Sequence, residues 1–137
     1  MTKAGPGNAV SIRAYVSSDR VSVVGLFTRV NRELAPPDMR ERFEAYIAAS
    51  ISGELSRIPD IFSDSKRNAF WVVETGAEII GMLGIESRGE QITELRRMYL
   101  DRAHRGRGLA QRMLLCAETR ARDLCLRVGQ ARGFSIA

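Results

Sequence analysis

The spacing of apolar residues changes along the chain, and each change marks a predicted element. Residues 10–16 alternate apolar and polar side chains, which predicts a strand with one buried face. A first helix of about residues 19–33 follows, because Ser17–Asp19 can cap its start and apolar residues then recur at helical spacing. The stripe that this helix is predicted to bury consists of Val21, Val24, Phe27, Val30 and Leu34.

A second helix is predicted after the Pro-Pro pair that ends the first. Asp38 can cap its start, and apolar residues continue at helical spacing as far as Leu55. Pro59 then stops the helix. Residues 59–68 are mostly polar and are predicted to form a loop.

The apolar pattern next becomes typical of strands. Residues 69–74, 78–86 and 91–100 are rich in β-forming side chains and are separated by Gly-containing turns, which predicts an antiparallel meander. Gly81 and Gly84 interrupt the middle strand. Because glycine weakens a strand, these positions predict a bend or a close approach of another group to the backbone.

The third strand of the meander breaks its own alternation. Leu95 is apolar, Arg96 and Arg97 are charged, and the next three residues are all apolar. A β-bulge near residues 96–98 would restore a sensible facing, and bulges are common beside active sites. The alternative is a strand end that is buried on both faces.

A basic glycine loop follows this strand and opens another helix of about residues 109–124. Its sequence is Arg105-Gly106-Arg107-Gly108-Leu109-Ala110. The start of a helix exposes unpaired backbone N–H groups at the positive end of its dipole, which suits a phosphate. The loop matches neither the P-loop nor the dinucleotide fingerprint. An ordinary strand-to-helix turn with solvated arginines is the alternative.

Charge is distributed unevenly over the 137 residues. Residues 1–93 carry 11 Lys and Arg against 12 Asp and Glu, whereas residues 94–137 carry 10 against 4, so the last third holds the whole net charge of +5. This clustering indicates a polyanionic partner, either a phosphorylated cofactor or a nucleic acid. A coding bias toward arginine explains the ratio of 19 Arg to 2 Lys equally well.

Composition predicts one globular domain over residues 10–137, preceded by a flexible segment of residues 1–9. Cys116, Cys125 and the single histidine, His104, lack the spacing of a zinc site, so no metal is expected. The first residues do not form a signal peptide and no apolar run spans a bilayer. We therefore expect a cytoplasmic protein with reduced thiols and no membrane contact.

The strand, basic loop and helix together resemble the GNAT superfamily of acetyl-CoA-dependent N-acetyltransferases. Arg105-x-x-Gly108-x-Ala110 fits the family signature Arg/Gln-x-x-Gly-x-Gly/Ala, and the resemblance covers about residues 10–124, most specifically 94–115. It implies an α/β (α+β) fold with a mixed, mostly antiparallel central sheet flanked by helices. The implied order is β-α-α-β-β-β-α.

The resemblance also implies roles for individual residues. The backbone of Met98, Tyr99 and Leu100 would bind the pantetheine arm of acetyl-CoA in the manner of an added strand. The loop N–H groups would hold the pyrophosphate, which assigns cofactor binding to Arg105, Gly106, Arg107, Gly108, Leu109 and Ala110. Tyr99 is expected to contribute packing rather than chemistry.

Glu94 is the candidate general base, because in this family a strand-four glutamate at this offset often takes the proton of the attacking amine. An amine is mostly ammonium at neutral pH and must lose a proton before it attacks a thioester. A carboxylate on an apolar strand can have a raised pKa and can attract a cation. The alternative is a surface residue that pairs with Arg96 or Arg97.

The chain departs from the family after about residue 124. The family fold continues with a fifth strand, a fourth helix and usually a hairpin, for which residues 125–137 supply at most one short strand. The expectation is an incomplete C-terminal region whose exposed apolar face a homodimer would cover. No tyrosine follows Tyr99, so the usual proton donor to the leaving thiolate is also missing.

The sequence thus predicts direct acetyl transfer from acetyl-CoA to a primary amine, on a small molecule or a peptide. The first alternative is a catalytically impaired, GNAT-like protein that binds the cofactor or regulates a partner. The second is a basic nucleic-acid-binding domain. It is the less favoured one, because the arginine-rich third lacks both a polar recognition helix and aromatic stacking residues.

Overall fold

The computed structural model describes residues 9–89, 92–126 and 134–136. Eight of the nine residues in the segment predicted to be flexible therefore lie outside the described residues. Within the described part, the chain forms five strands and four helices in the order β1 (Val10–Ala14), α1 (Arg20–Leu34), α2 (Arg40–Ser52), α3 (Ile58–Ile61), β2 (Ala69–Thr75), β3 (Glu78–Ser87), β4 (Thr93–Leu100), α4 (Leu109–Leu126) and β5 (Phe134–Ile136).

The strands form one sheet in the order β1-β2-β3-β4-β5. The first three pairings are antiparallel, and β5 runs parallel to β4, opposite residues 93–95. The predicted meander is therefore confirmed as β2, β3 and β4, and the predicted fold class is confirmed as a mixed, mostly antiparallel sheet with helices. One short strand, β5, lies within residues 125–137, as expected.

Helices cover both faces of the sheet. The front face packs against α1, α2 and α3 through a cluster that includes Phe27, Ile58 and Met82. The back face packs against α4 through a second cluster that includes Leu83 and Met113. Because β2 and β3 lie between the two clusters, both of their faces are buried, and this explains their nearly continuous apolar sequences.

The buried side of α1 differs from the predicted stripe. Val21 is 81% exposed, whereas Val23 and Leu26 are buried. Apolar residues occur on more than one side of this helix, so helical spacing alone does not fix which side faces the sheet. The contacts of Phe27 and Val30, which were in the predicted stripe, set the orientation.

None of the predicted capping side chains caps its α-helix. Helix α2 begins at Arg40 after a 3-10 turn, and Asp38 makes no capping bond to it. Asp19 turns back toward β1, where its carboxylate accepts a hydrogen bond from the Val16 N–H at 2.9 Å and from both terminal nitrogens of Arg13 at 2.9 Å. The hydrogen bond from Arg13, with that from Val16, lowers the pKa of Asp19 despite its burial.

The prediction of a continuous loop over residues 59–68 is wrong at its start. Pro59 does not simply stop α2, because it occupies the first turn of the short helix α3. Proline suits that position, since the N–H it lacks would have no helical acceptor there. The helix places Ile58 and, just after it, Phe62 in the front core.

The interruption of β3 by glycine has a steric cause. A Cβ atom at Gly84 would lie 2.8 Å from ring carbons of both Phe62 and Phe70. One at Gly81 would lie 2.9 Å from a methyl carbon of Val73. The predicted close approach is confirmed at both positions.

No helix in the part of the chain that the structure describes is both long enough and apolar enough to cross a membrane.

Candidate functional site

Strand β4 contains a bulge at Arg97. Its register with β3 pairs Arg96 with Gly84 and Tyr99 with Met82, so that two residues of β4 stand opposite one residue of β3. Arg97 has a φ of 54°, in the left-handed region that non-glycine residues seldom adopt. The predicted bulge is confirmed, and the strand bends there because of the extra residue.

The side chain of Arg97 is held from several sides on the front face. Its Nε donates to Glu54 Oε2 at 3.0 Å, and its Nη1 donates to the Tyr46 hydroxyl at 2.9 Å and to Ser50 Oγ at 3.1 Å. The guanidinium also lies over the Phe27 ring, 5.5 Å from its centroid. Only 11% of the side chain is exposed.

The preceding arginine shares the same acidic partner. Arg96 Nη2 donates to Glu54 Oε1 at 2.9 Å, and its Nη1 donates to Glu86. Burial works against the charge of Arg96, but the two carboxylates outweigh it, so the pKa of this guanidinium is raised. One carboxylate therefore holds both arginines of the bulge.

Beyond the bulge, β4 has an edge without a neighbouring strand in the described structure, because β5 pairs only with residues 93–95. The Asp101 N–H donates to the Ile80 carbonyl at 2.7 Å, toward β3. Since successive residues of a strand point their backbone groups to opposite sides, those of Met98 and Leu100 point away from β3. Arg105 Nε, which bonds the Leu100 carbonyl at 3.1 Å, confirms this direction. We call residues 98–100 the open edge.

The glycine loop, residues 105–108, leads from the open edge to α4. Gly106 and Gly108 have φ values of 80° and 76°, and a Cβ atom on either would meet no other atom within 4 Å. The Arg112 N–H bonds to the Gly108 carbonyl at the start of α4. The N–H groups of residues 108–111 precede this bond, so they have no acceptor within the helix.

Side-chain contacts are made by the turn before this loop and by the loop itself. In the turn, the Asp101 carboxylate accepts a hydrogen bond from the Ala103 N–H at 3.1 Å and forms an ion pair with Arg29 of α1 at 3.0 Å. Arg107 Nη2 lies 2.8 Å from His104 Nδ1. His104, which has no predicted role in the site, is thus a neighbour of the loop arginine.

A cleft of about 700 Å³ borders both the open edge and the glycine loop. Five predicted cofactor residues line it: Met98, Tyr99, Leu100, Arg105 and Ala110. Gly106, Arg107, Gly108 and Leu109 do not, and the Leu109 side chain is instead buried against the back face. Leu109 can therefore offer a ligand in the cleft only its backbone.

The cleft wall also includes side chains that the sequence did not assign to a site, among them Val30, Leu34 and Tyr46. The helical spacing had marked all three as core residues. Leu34 and Tyr46 are 54% and 44% exposed, and both line the cleft. Their exposure depends on tertiary packing, and no local sequence signal indicates it.

The Tyr99 ring packs edge-on against Phe27, with 5.3 Å between the ring centroids. Burial, together with hydrogen bonding to Tyr46, raises its pKa to about 12. Its hydroxyl is therefore fully protonated at neutral pH. The packing role expected for Tyr99 agrees with this position.

Glu94 lies on β4 before the bulge and does not line the cleft. Its neighbours Thr93 and Leu95 are buried, and Leu95 belongs to the back cluster, so Glu94 points to the front face. About a quarter of its side chain is exposed, and Oε1 lies 3.2 Å from Nε of Arg88. The alternative that Glu94 pairs with Arg96 or Arg97 is wrong, because Glu54 and Glu86 occupy those arginines.

In residues 9–89, 92–126 and 134–136, no group of three or more His, Cys, Asp or Glu side chains could hold a metal ion. The site as described therefore consists of a bulged strand, an open backbone edge and a helix start. These features suit a ligand that has amide groups for the edge and a phosphate for the loop.

Comparison with solved structures shows which proteins share this fold. The PaiA N-acetyltransferase of Thermoplasma acidophilum, solved in complex with coenzyme A, superposes with a TM-score of 0.70 at 18% identity, over 84% of this chain and 73% of that one. An acetyltransferase of the GNAT family from Staphylococcus aureus Mu50 gives a TM-score of 0.67 at 14% identity, over 84% of this chain and 67% of that one.

Sequence comparison gives the family. The uncharacterized N-acetyltransferase YjgM of Escherichia coli K12 is 40% identical over 60 residues, which are 42% of this chain and 36% of that protein. The match thus spans about a third of that relative. The sequence model of the acetyltransferase (GNAT) family matches residues 30–132, well over half of the chain. The chain therefore belongs to the GNAT family of acetyltransferases.

Proposed function

We propose that this chain transfers the acetyl group of acetyl-CoA directly to a primary amine on a small molecule or a peptide. The observation that carries the proposal is that one cleft borders both the open edge of β4 and the start of α4. A strand edge binds an extended chain of amides, and a helix start binds phosphate. Coenzyme A contains both kinds of group.

The residues present fit this cofactor. Met98 and Leu100 direct backbone groups to the open edge, where a pantetheine arm would lie like an added strand. The unpaired N–H groups at the helix start and the charges of Arg105 and Arg107 suit a pyrophosphate. Open space at the Cβ positions of Gly106 and Gly108 would allow its oxygens to reach the backbone.

Glu94 is the general base in this proposal, directly or through a water molecule. Bound acetyl-CoA supplies an acyl thioester, whose carbonyl carbon the amine attacks. The Glu94 carboxylate would take the proton that the ammonium must lose. The N–C bond would then form as the C–S bond breaks, and coenzyme A would leave as a thiolate that takes a proton from water. The front-face position and partial exposure of Glu94 support this role, since a cationic amine can approach it there.

A thiol-release assay over a panel of primary amines tests the proposal. We expect at least one amine to release coenzyme A from acetyl-CoA, and Glu94→Gln to lower kcat by about a hundredfold or more. Glu118→Gln is the control, because it removes a carboxylate that also pairs with an arginine but lies on the exposed side of α4. Full turnover by Glu94→Gln at its pH optimum would refute the assignment of the base.

One contact favours a second candidate, a GNAT-like protein that binds acetyl-CoA without turnover. Arg88 engages the Glu94 carboxylate, so one carboxylate oxygen already has a guanidinium partner and is less accessible to an amine. In this case acetyl-CoA binds and no amine of the panel releases thiol. Arg88→Gln would then increase turnover if the ion pair alone suppresses the base.

Two further expectations stay predictions alongside the proposed function. One is a homodimer, and sedimentation of the purified chain would show it. A cytoplasmic location would be tested by fractionation of cells that express the chain.

A further inference from the structure

A chain of alternating charges connects α2 to the bulge of β4. Glu54, in the turn that follows α2, places one carboxylate oxygen 2.9 Å from Arg96 Nη2 and the other 3.0 Å from Arg97 Nε. Only 17% of its side chain is exposed. The contact joins residues that are 42 and 43 positions apart, so it connects the helical layer to the strand whose edge borders the cleft.

The two arginines differ in the number of carboxylates that pair with them. Arg96 has Glu86 as a second carboxylate, but Glu54 is the carboxylate partner of Arg97 among the described ion pairs. The other hydrogen-bond partners of Arg97, Tyr46 and Ser50, are uncharged. Removal of one member of a buried ion pair leaves the other charge uncompensated, and this is strongly destabilising.

Arg97 also carries the unusual backbone conformation of the bulge. A left-handed φ costs a non-glycine residue free energy, so it persists only where surrounding contacts fix it. The contacts that fix Arg97 are made by its side chain, and among the described ion pairs its charged partner is Glu54. Met98 follows directly, so the bulge sets the direction of the backbone groups at the open edge.

We propose that Glu54 is a positioning residue for the cofactor: it clamps Arg96 and Arg97 and so holds the bulge that aims the open edge into the cleft. The inference rests on the proposed function, because it takes the open edge as the site of the pantetheine arm. Glu54 does not line the cleft. It acts only through the conformation of Arg97.

Glu54→Gln tests the clamp with almost no change in shape. Each oxygen of Glu54 accepts a hydrogen bond from a different arginine, and an amide has only one oxygen, so one arginine must face an N–H donor. We expect the Kd for coenzyme A and the KM for acetyl-CoA to rise about tenfold to a hundredfold. The KM for the amine should change by less than about twofold, since the displaced groups face the cofactor.

Glu44→Gln is the matched control. Glu44 lies on α2 and accepts two hydrogen bonds from Arg32, at 2.8 and 3.0 Å, but this pair is half-exposed and neither residue lines the cleft. It should leave both constants unchanged. A merely structural role for Glu54 would instead lower the active fraction, and hence kcat, without a change in either KM.

A second variant tests whether Glu54 acts through Arg97. Glycine adopts the left-handed region without strain and carries no charge, so Glu54→Gln combined with Arg97→Gly should bind coenzyme A more tightly than Glu54→Gln alone. Equal affinity of these two variants would overturn the proposal. So would wild-type affinity in a folded Glu54→Gln chain, or a Glu54→Gln chain that is unfolded even in the cold. Failure of the wild-type chain to bind coenzyme A would refute the proposed function itself.

Discussion

Replacement of Gly108 by alanine tests the anion site through backbone strain alone. The Cβ atom would enter open space, because no atom lies within 4 Å of its position. The φ of 76°, however, costs an L-residue about 1–2 kcal/mol. We expect the free loop to relax to a negative φ, so that its N–H groups no longer converge on one point.

The magnitude follows from that strain. A bound pyrophosphate must restore the native loop, so up to about 1–2 kcal/mol is taken from the binding free energy, a factor of about 5 to 30 in Kd. Calorimetric titration with coenzyme A measures this loss directly. Thermal unfolding should show little change, because the relaxed loop escapes most of the strain.

Gly89→Ala is the control for this prediction. Gly89 has a φ of 100°, its Cβ position is equally open, and it lies in the turn between β3 and β4, away from the glycine loop. It should leave the affinity for coenzyme A unchanged. An equal loss of affinity in both variants, or a Kd for Gly108→Ala within about twofold of the wild-type value, would refute this account of the loop.

Two further substitutions test the ion pair between Arg13 and Asp19 and the close packing at Gly84 of β3. Asp19→Asn should lower the free energy of unfolding by about 1–3 kcal/mol at pH 7, because it removes one of the two carboxylates that pair with Arg13 and leaves only Glu74. The pKa of Asp19 is lowered in the fold, so its contribution is present above the unfolded pKa and is lost as the pH falls through the folded one. Urea denaturation at pH 7 and at acid pH should therefore show the difference between wild type and variant shrinking in acid. Gly84→Ala should cost about 1–3 kcal/mol, because its Cβ would lie 2.8 Å from Phe62, and an unchanged melting temperature would contradict that packing.

Local patterns were sufficient to predict the elements other than α3, and also the bulge. The change from helical to strand spacing predicts α1, α2 and the meander, since each period follows from the geometry of its element. The broken alternation after Leu95 predicts the bulge because side chains of a strand must alternate. Closely spaced glycines and arginines before Leu109 predict the loop, since they lie together along the chain.

Contacts between distant parts of the chain were not predictable in the same way. Glu54 and Arg97 are 43 positions apart, and nothing local marks them as partners. The exposure of Tyr46 in the cleft and the orientation of α1 depend on how the helices pack against the sheet. The ion pair of Glu94 with Arg88 was not predicted either, because it depends on how the turn between β3 and β4 brings the two side chains together.

Calorimetric titration of acetyl-CoA into the wild-type chain tests the central claim most directly. If the open edge and the glycine loop form one cofactor site, the titration should show saturable binding with a Kd below about 1 mM. Phosphate groups should contribute much of the affinity, so pantetheine, which has no phosphate, should bind more weakly than coenzyme A. The absence of heat and of any thermal stabilisation at about 1 mM acetyl-CoA would contradict the account.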